Sequence, residues 1–133
     1  MTTGKEAKFR KPFEDEMRLL QLAVEQTDQP DIYRRQLRNA RVRYDCECGC
    51  PSLEVRVAGG APRTAVARKV GTLGVAVYSE GDPCWVDLFI EDGAVRTLEL
   101  APMGEKPPRG AALTEIREAR TKRVMYMSKE RDA

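Results

Sequence analysis

The sequence of 133 residues contains no histidine. Histidine is the commonest general base near neutral pH and the usual partner of serine and cysteine nucleophiles. Its absence excludes imidazole metal sites and histidine-dependent nucleophile pairs, so an enzyme would have to use Asp, Glu, Lys, Tyr, Cys or water. Since the sequence also shows no convergent catalytic set, it favours a protein without enzymatic activity.

Long apolar runs are missing as well. No run approaches the roughly 18 residues that a membrane-spanning helix needs. The polar N-terminal stretch lacks the apolar segment of a secretory signal. These absences predict a cytoplasmic protein without membrane contact, in which the cysteines are mostly reduced.

Neither sign of charge dominates, because 23 Lys and Arg residues stand against 21 Asp and Glu residues. The charges are unevenly placed: residues 46–101 hold 5 basic and 8 acidic side chains (−3), and residues 102–133 hold 8 and 5 (+3). Nucleic-acid binders usually have a strongly basic face, so this balance disfavours a nucleic-acid partner. An acidic middle favours a protein partner of complementary charge.

Composition divides the chain into four segments. Residues 1–11 predict a flexible polar leader, and 12–101 predict a single α+β domain. Residues 102–110 are rich in proline and glycine and predict a linker. Residues 111–133 predict a basic C-terminal helix and tail. Such a basic helix is typical of a solvated surface, and RNA binding is the alternative. Its basic side is formed by Arg117, Arg120, Lys122 and Arg123.

Apolar spacing predicts two N-terminal helices. Met17, Leu20 and Val24 repeat with helical period over 13–26. Asp28 is the predicted N-cap of a second helix over 29–39, with Pro30 just inside it. The short link between these helices predicts a helical hairpin.

Period-two alternation then predicts about five strands. Asp92-Gly93 between two apolar runs is typical of a β-hairpin turn. Helices followed by strands indicate the α+β class, with the helical hairpin packed on an antiparallel sheet and the C-terminal helix following. The strands are predicted near 42–44, 53–57, 73–77, 85–91 and 95–100.

Three of the four cysteines stand at alternate positions in Cys46-Glu47-Cys48-Gly49-Cys50-Pro51. A straight strand would separate Cys46 and Cys50 by about 13 Å at Cα, and one zinc ion tolerates only about 9 Å. Gly49 permits a turn that could gather the thiolates with Cys84. No Cys-x-x-Cys pair is present, so a structural corner without metal is favoured over a zinc or redox site. The candidate metal ligands are Cys46, Cys48, Cys50 and Cys84, and zinc is the cofactor that they would hold.

Acidic residues cluster around the strand near 85–91. A pair of them could perform acid-base chemistry, but solvated or turn-capping positions are commoner. Asp87 is out of phase with Val86, Leu88 and Ile90, which favours a solvated position. Trp85 is predicted in the core because tryptophan is highly buried on average, and an exposed Trp85 would indicate a contact surface. The acidic candidates are Asp82, Asp87, Glu91 and Asp92.

Two stretches resemble a group of small uncharacterised actinobacterial proteins. These are the Cys-x-Cys-Gly-Cys-Pro-Ser pattern at 46–52 and the strand, Asp-Gly turn and strand at 86–100. With the helices, the resemblance covers roughly 13–108. Some members of that group resemble immunity proteins of polymorphic toxins in size and architecture. The resemblance thus implies the α+β architecture and an immunity-like role.

The sequence therefore predicts a non-enzymatic module that binds another protein, with an immunity-like or regulatory role. The alternative is a zinc-binding or thiol-redox protein that uses the four cysteines.

Overall fold

The computed structural model describes residues 8–45, 49–118 and 124–126, the last three by backbone alone. The predicted N-terminal helices are present: α1 spans Glu14–Val24 and α2 spans Pro30–Leu37, and the two are in contact. Three acidic residues occupy the first turn of α1, where they complement the positive end of the helix dipole. One of them, Glu16, accepts a hydrogen bond from the Phe13 amide at 2.8 Å and pairs with Arg10.

The antiparallel sheet of the predicted α+β class is also present. Within the described residues the strands are β1 Arg41–Tyr44, β2 Leu53–Arg56, β3 Arg68–Tyr78, β4 Cys84–Glu91, β5 Ala94–Pro102, β6 Leu113–Glu118 and β7 Val124–Tyr126. Their order is β1-β2-β5-β4-β3-β6, and β7 also pairs with β3. The five predicted strands correspond to β1 through β5.

The C-terminal helix predicted within the helix-and-tail segment 111–133 is wrong where the structure describes it. Leu113–Glu118 and Val124–Tyr126 are strands that pair with β3. The rest of the predicted helix and tail, at 119–123 and 127–133, lies outside the described residues. Pairing with a distant strand decides the conformation here, because strand propensity depends strongly on context.

The chain segments on either side of the main domain are bonded to it. Before α1, Arg10 and Val42 exchange backbone hydrogen bonds at 2.8 and 2.7 Å along the edge of β1. After β5, the Lys106 carbonyl accepts the Asp82 amide at 2.6 Å, and the Asp82 carboxylate accepts the Lys106 amide at 2.8 Å. Parts of the predicted leader and linker are thus held on the sheet.

The two sides of the sheet differ in what covers them. Both helices bury their apolar residues against one side, the inner face, in a single core cluster. On β4, Val86 and Leu88 belong to this cluster, and Trp85 and Asp87 alternate with them. The opposite side, the outer face, has no helix packed on it among the described residues. It is the part of the fold in which a binding surface can form.

Two polar side chains in the core join helices to strands. Gln36 donates from Nε2 to the carbonyls of Pro62 and Gly93, both at 2.8 Å, and its Oε1 accepts the Val95 amide at 2.9 Å. The Lys69 side chain is 1% exposed and donates to Asp28 at 3.2 Å. Asp28 is therefore not the N-cap of α2, which is Gln29.

The Asp92-Gly93 turn is present as predicted. It links β4 to β5 through two residues, and both have positive φ, 53° and 76°. This is the type I′ geometry that matches the twist of antiparallel strands. The turn packs against the 57–67 segment, since the Gly93 amide donates to Val66 at 2.7 Å.

Candidate functional site

Two of the four cysteines, Cys50 and Cys84, lie in the part of the chain that the structure describes. Cys46 and Cys48 are outside the described residues; Cys50 is half-buried and Cys84 is buried. Gly49 adopts a left-handed φ of 99°, a conformation that favours glycine. A Cβ on Gly49 would lie 3.2 Å from the Pro107 side chain, so Gly49 packs closely against the loop after β5.

Cys50 is connected to Cys84 through neighbouring strands. The Cys50 thiol is 3.8 Å from the Ser52 hydroxyl, which accepts the Leu100 amide at 2.8 Å. Leu100 pairs with Val86 on β4, two residues beyond Cys84. Burial, with smaller contributions from the nearby Cys50 and Asp82, raises the pKa of the Cys84 thiol to about 11. At neutral pH Cys84 is therefore a protonated, weakly nucleophilic thiol.

Among the described residues, no group of three or more Cys, Asp or Glu side chains is placed to hold a metal ion. Two of the four candidate ligands lie outside those residues, so this finding leaves the predicted four-cysteine set open.

The four acidic candidates occupy separate positions along β4. Asp82 bonds the loop after β5, and Asp92 forms the turn at the other end of the strand. Asp87 accepts the Thr72 hydroxyl at 2.8 Å, and Glu91 stands opposite Arg68. The structure does not gather these carboxylates into a pair that could transfer a proton.

Trp85 is not in the core, contrary to the sequence prediction. Its side chain lies on the outer face and is 48% exposed. Its neighbours across the sheet are the half-buried Val75 and Ala101. Met103, which is 52% exposed, follows Ala101 by two residues and donates its amide to Pro83. An exposed tryptophan on an uncovered sheet is typical of a contact surface.

Carboxylates lie beside Trp85 on the outer face. Asp87 is directly opposite Glu99, and this like-charge cross-strand pair lowers the stability of the unbound protein. Two residues further along β4, on the same face, Phe89 is opposite Thr97. We call the set Trp85, Asp87, Phe89 and Glu99 the acidic aromatic patch. It borders a shallow cavity of about 300 Å³ lined by Asp45, Cys50, Ser52, Phe89, Thr97 and Glu99.

A second charged region lies on the same sheet toward β1 and has the opposite sign. Arg43, Arg56, Arg63 and Arg96 line a cleft of about 210 Å³. These arginines come from β1, β2, β5 and the 57–67 segment, so their sequence separations conceal the cluster. The alternation of β1 and β2 could have placed Arg43 and Arg56 on one face, but not beside Arg63.

A further cavity of about 370 Å³ lies at the N-terminus of α1, with Phe13, Tyr44 and Tyr78 among its apolar walls. Asp15, also in its lining, accepts the Leu113 amide at 2.9 Å and so ties α1 to β6. Burial raises the pKa of Tyr78, with smaller contributions from Cys84 and Asp15. The Tyr78 hydroxyl therefore remains protonated over the physiological range.

Comparison with protein-family models, with curated proteins and with solved structures finds no match to this chain. None of the helices in the described residues is long and apolar enough to cross a membrane. The function therefore has to follow from the surfaces of the molecule itself.

Proposed function

We propose that this protein is a non-enzymatic cytoplasmic module that binds another protein through the acidic aromatic patch, in an immunity-like or regulatory role. The observation that carries the proposal is the 48% exposure of Trp85 on a sheet face without a helix over it in the described residues. In this proposal α1 and α2 cover the inner face, and the outer face is available to the partner.

The partner surface is basic. Asp87 and Glu99 face each other across the strands, so a cation placed between them would remove their repulsion. An arginine that entered here could also stack on the Trp85 ring, which combines charge pairing with a cation–π contact. Charge complementarity would mainly speed association and select the partner.

Affinity capture from the native host tests the proposal with matched variants. The parent protein should recover one stoichiometric basic protein. Phe13→Ala should recover it too, because Phe13 is a similarly exposed aromatic residue that lies at the start of α1 and outside the acidic aromatic patch. Trp85→Ala should lose it, with an affinity at least about 30-fold weaker in calorimetry, as for a central interface residue. Equal capture by Trp85→Ala would overturn the proposed surface.

The charges are tested on the captured partner. Glu99→Gln should slow association and reduce its salt dependence, and Glu80→Gln, an exposed loop carboxylate, should change neither. An acidic partner, or a dimer of this chain that Trp85→Ala dissociates in light scattering, would contradict the basic-partner proposal.

A zinc-binding or thiol-redox function is the second candidate, supported by the nearness of Cys50 to Cys84. We propose that Cys46 and Cys48 complete the set if this function is the correct one. Elemental analysis of protein purified without added metal decides between a metal-free binding module and a zinc protein. About one zinc per chain would establish the metal site. No zinc and four freely titrating thiols would remove the second candidate.

A further inference from the structure

The arginine cleft is created by the way the sheet opens between two strands. β2 and β5 pair only through Leu53 with Leu98 and Glu54 with Thr97. Beyond Glu54 the pairing ends, so the following residues of β2 and the first residues of β5 line a gap. That gap is the cleft of about 210 Å³, which the sheet itself leaves unfilled.

Positive charge accumulates around this gap. Four arginines line it with a single carboxylate, Glu54, which pairs with Arg43 at 3.0 Å. Among the described residues, Arg56, Arg63 and Arg96 form no ion pair. Arg56 also stands directly opposite Arg41 on β1, a like-charge cross-strand pair that costs stability. A bound anion would relieve this repulsion.

An aromatic ring holds two of the guanidinium groups in place. The Phe9 ring lies 4.2 Å from the Arg43 guanidinium and 4.0 Å from that of Arg56, and it also lines the cleft. A guanidinium stacked on a ring keeps its N–H donors free at its planar edge. The donors of Arg56 are thus pre-oriented for an acceptor, which reduces the entropy lost on binding.

We propose that this cleft binds a phosphate group. A phosphate dianion has oxygens in several directions and can be shared by guanidinium forks from β2, β5 and the 57–67 segment. The cleft is smaller than the roughly 300–1,000 Å³ of sites for drug-sized ligands, so it admits one or two phosphate groups and excludes a whole nucleotide. The site is separate from the acidic aromatic patch and does not depend on the proposed protein partner.

Two sources could supply this group: a small phosphorylated molecule or a phosphorylated side chain. Titration calorimetry at low salt with pyrophosphate, and separately with a phosphoserine peptide, tests both sources. Saturable binding is expected in at least one arm, and the tighter arm identifies the source. Acetate at matched ionic strength should not bind, because a carboxylate engages only one fork.

Single-arginine variants assign the binding to the cleft. Arg63→Gln and Arg96→Gln should each weaken it about tenfold, as expected for one charge-assisted contact. Arg35→Gln, at an exposed arginine on α2, should leave it unchanged. All three arginines are exposed, so circular dichroism of the variants should match that of the parent protein.

The proposal would be overturned by any of three results. One is the absence of binding in both arms up to about 10 mM ligand. Another is equal weakening by Arg35→Gln, which would show a general charge effect. The last is binding that survives the double variant Arg63→Gln/Arg96→Gln.

Discussion

Gln36 is a polar side chain that is completely buried in the apolar core, and its amide group bonds three backbone groups in two separate segments. Polar groups in such positions must be paired, because a buried donor or acceptor without a partner costs about 1–3 kcal/mol. Gln36 therefore fixes the position of α2 against the start of β5 and against the 57–67 segment.

We expect Gln36→Leu to lower the free energy of unfolding by about 2–4 kcal/mol, since it leaves the Val95 amide and two carbonyls without this partner. Urea denaturation followed by circular dichroism measures the change. Gln21→Leu, the same substitution at an exposed position on α1, should stay within about 0.5 kcal/mol of the parent. Equal effects at both positions would show that the amide does not join these segments.

Trp85 is a residue whose position could have been predicted from the sequence. It lies two residues before Asp87 in β4, so strand alternation places both side chains on the same, outer face. The average burial of tryptophan pointed to the core and was the weaker argument. Lys69 is the opposite case, because its burial depends on Asp28, 41 residues away, and local sequence does not show this pairing.

At the scale of elements, β6 shows where local patterns fail. Leu113 and Ile116 are three residues apart, a helical spacing, and charged residues around them have good helix propensity. Pairing with Val75–Tyr78 of β3 overrides this preference and turns the segment into a strand. The Asp92-Gly93 hairpin was predictable, since its turn chemistry is encoded in two adjacent residues.

Gly93, in the turn between β4 and β5, is a position that only glycine fits. A Cβ there would collide with the Thr64 backbone, and the φ of 76° already disfavours any other residue. We expect Gly93→Ala to lower the free energy of unfolding by at least about 2 kcal/mol. Thermal and urea unfolding measure this loss.

Gly60→Ala is the matched control for this turn. Gly60 has open space around its Cα, so the added methyl group mainly restricts the unfolded chain. It should leave stability unchanged or raise it by up to about 1 kcal/mol. If Gly93→Ala were equally harmless, the close packing of the turn on the 57–67 segment would be incorrect.

For the whole molecule, the buried Cys84 thiol makes the free energy of unfolding depend on pH in the alkaline range. The Cys84 thiol has its pKa raised from 9.0 to about 11, mainly by burial. Between these values the unfolded chain releases this proton and the folded protein keeps it. Stability is therefore full below about pH 9 and falls as pH rises toward 11.

We expect Cys84→Ala to flatten the decline of the urea midpoint between about pH 9 and pH 11. Val86→Ala is the control, because it also removes buried volume from β4 and has no titratable group. It should lower stability at every pH and keep the slope of the parent. An unchanged slope in Cys84→Ala would show that the thiol is not desolvated in the folded protein.

The pairing of β3 with strands on both sides has a consequence during synthesis. The four strands on one side of β3 (β4, β5, β2 and β1) belong to residues made before position 103, whereas β6 and β7 on the other side are made later. Since the N-terminal part leaves the ribosome first, a nascent chain can assemble five strands and still expose the free edge of β3. An exposed edge of this kind can pair with a second chain, so the later addition of β6 and β7 covers an edge that would otherwise favour aggregation.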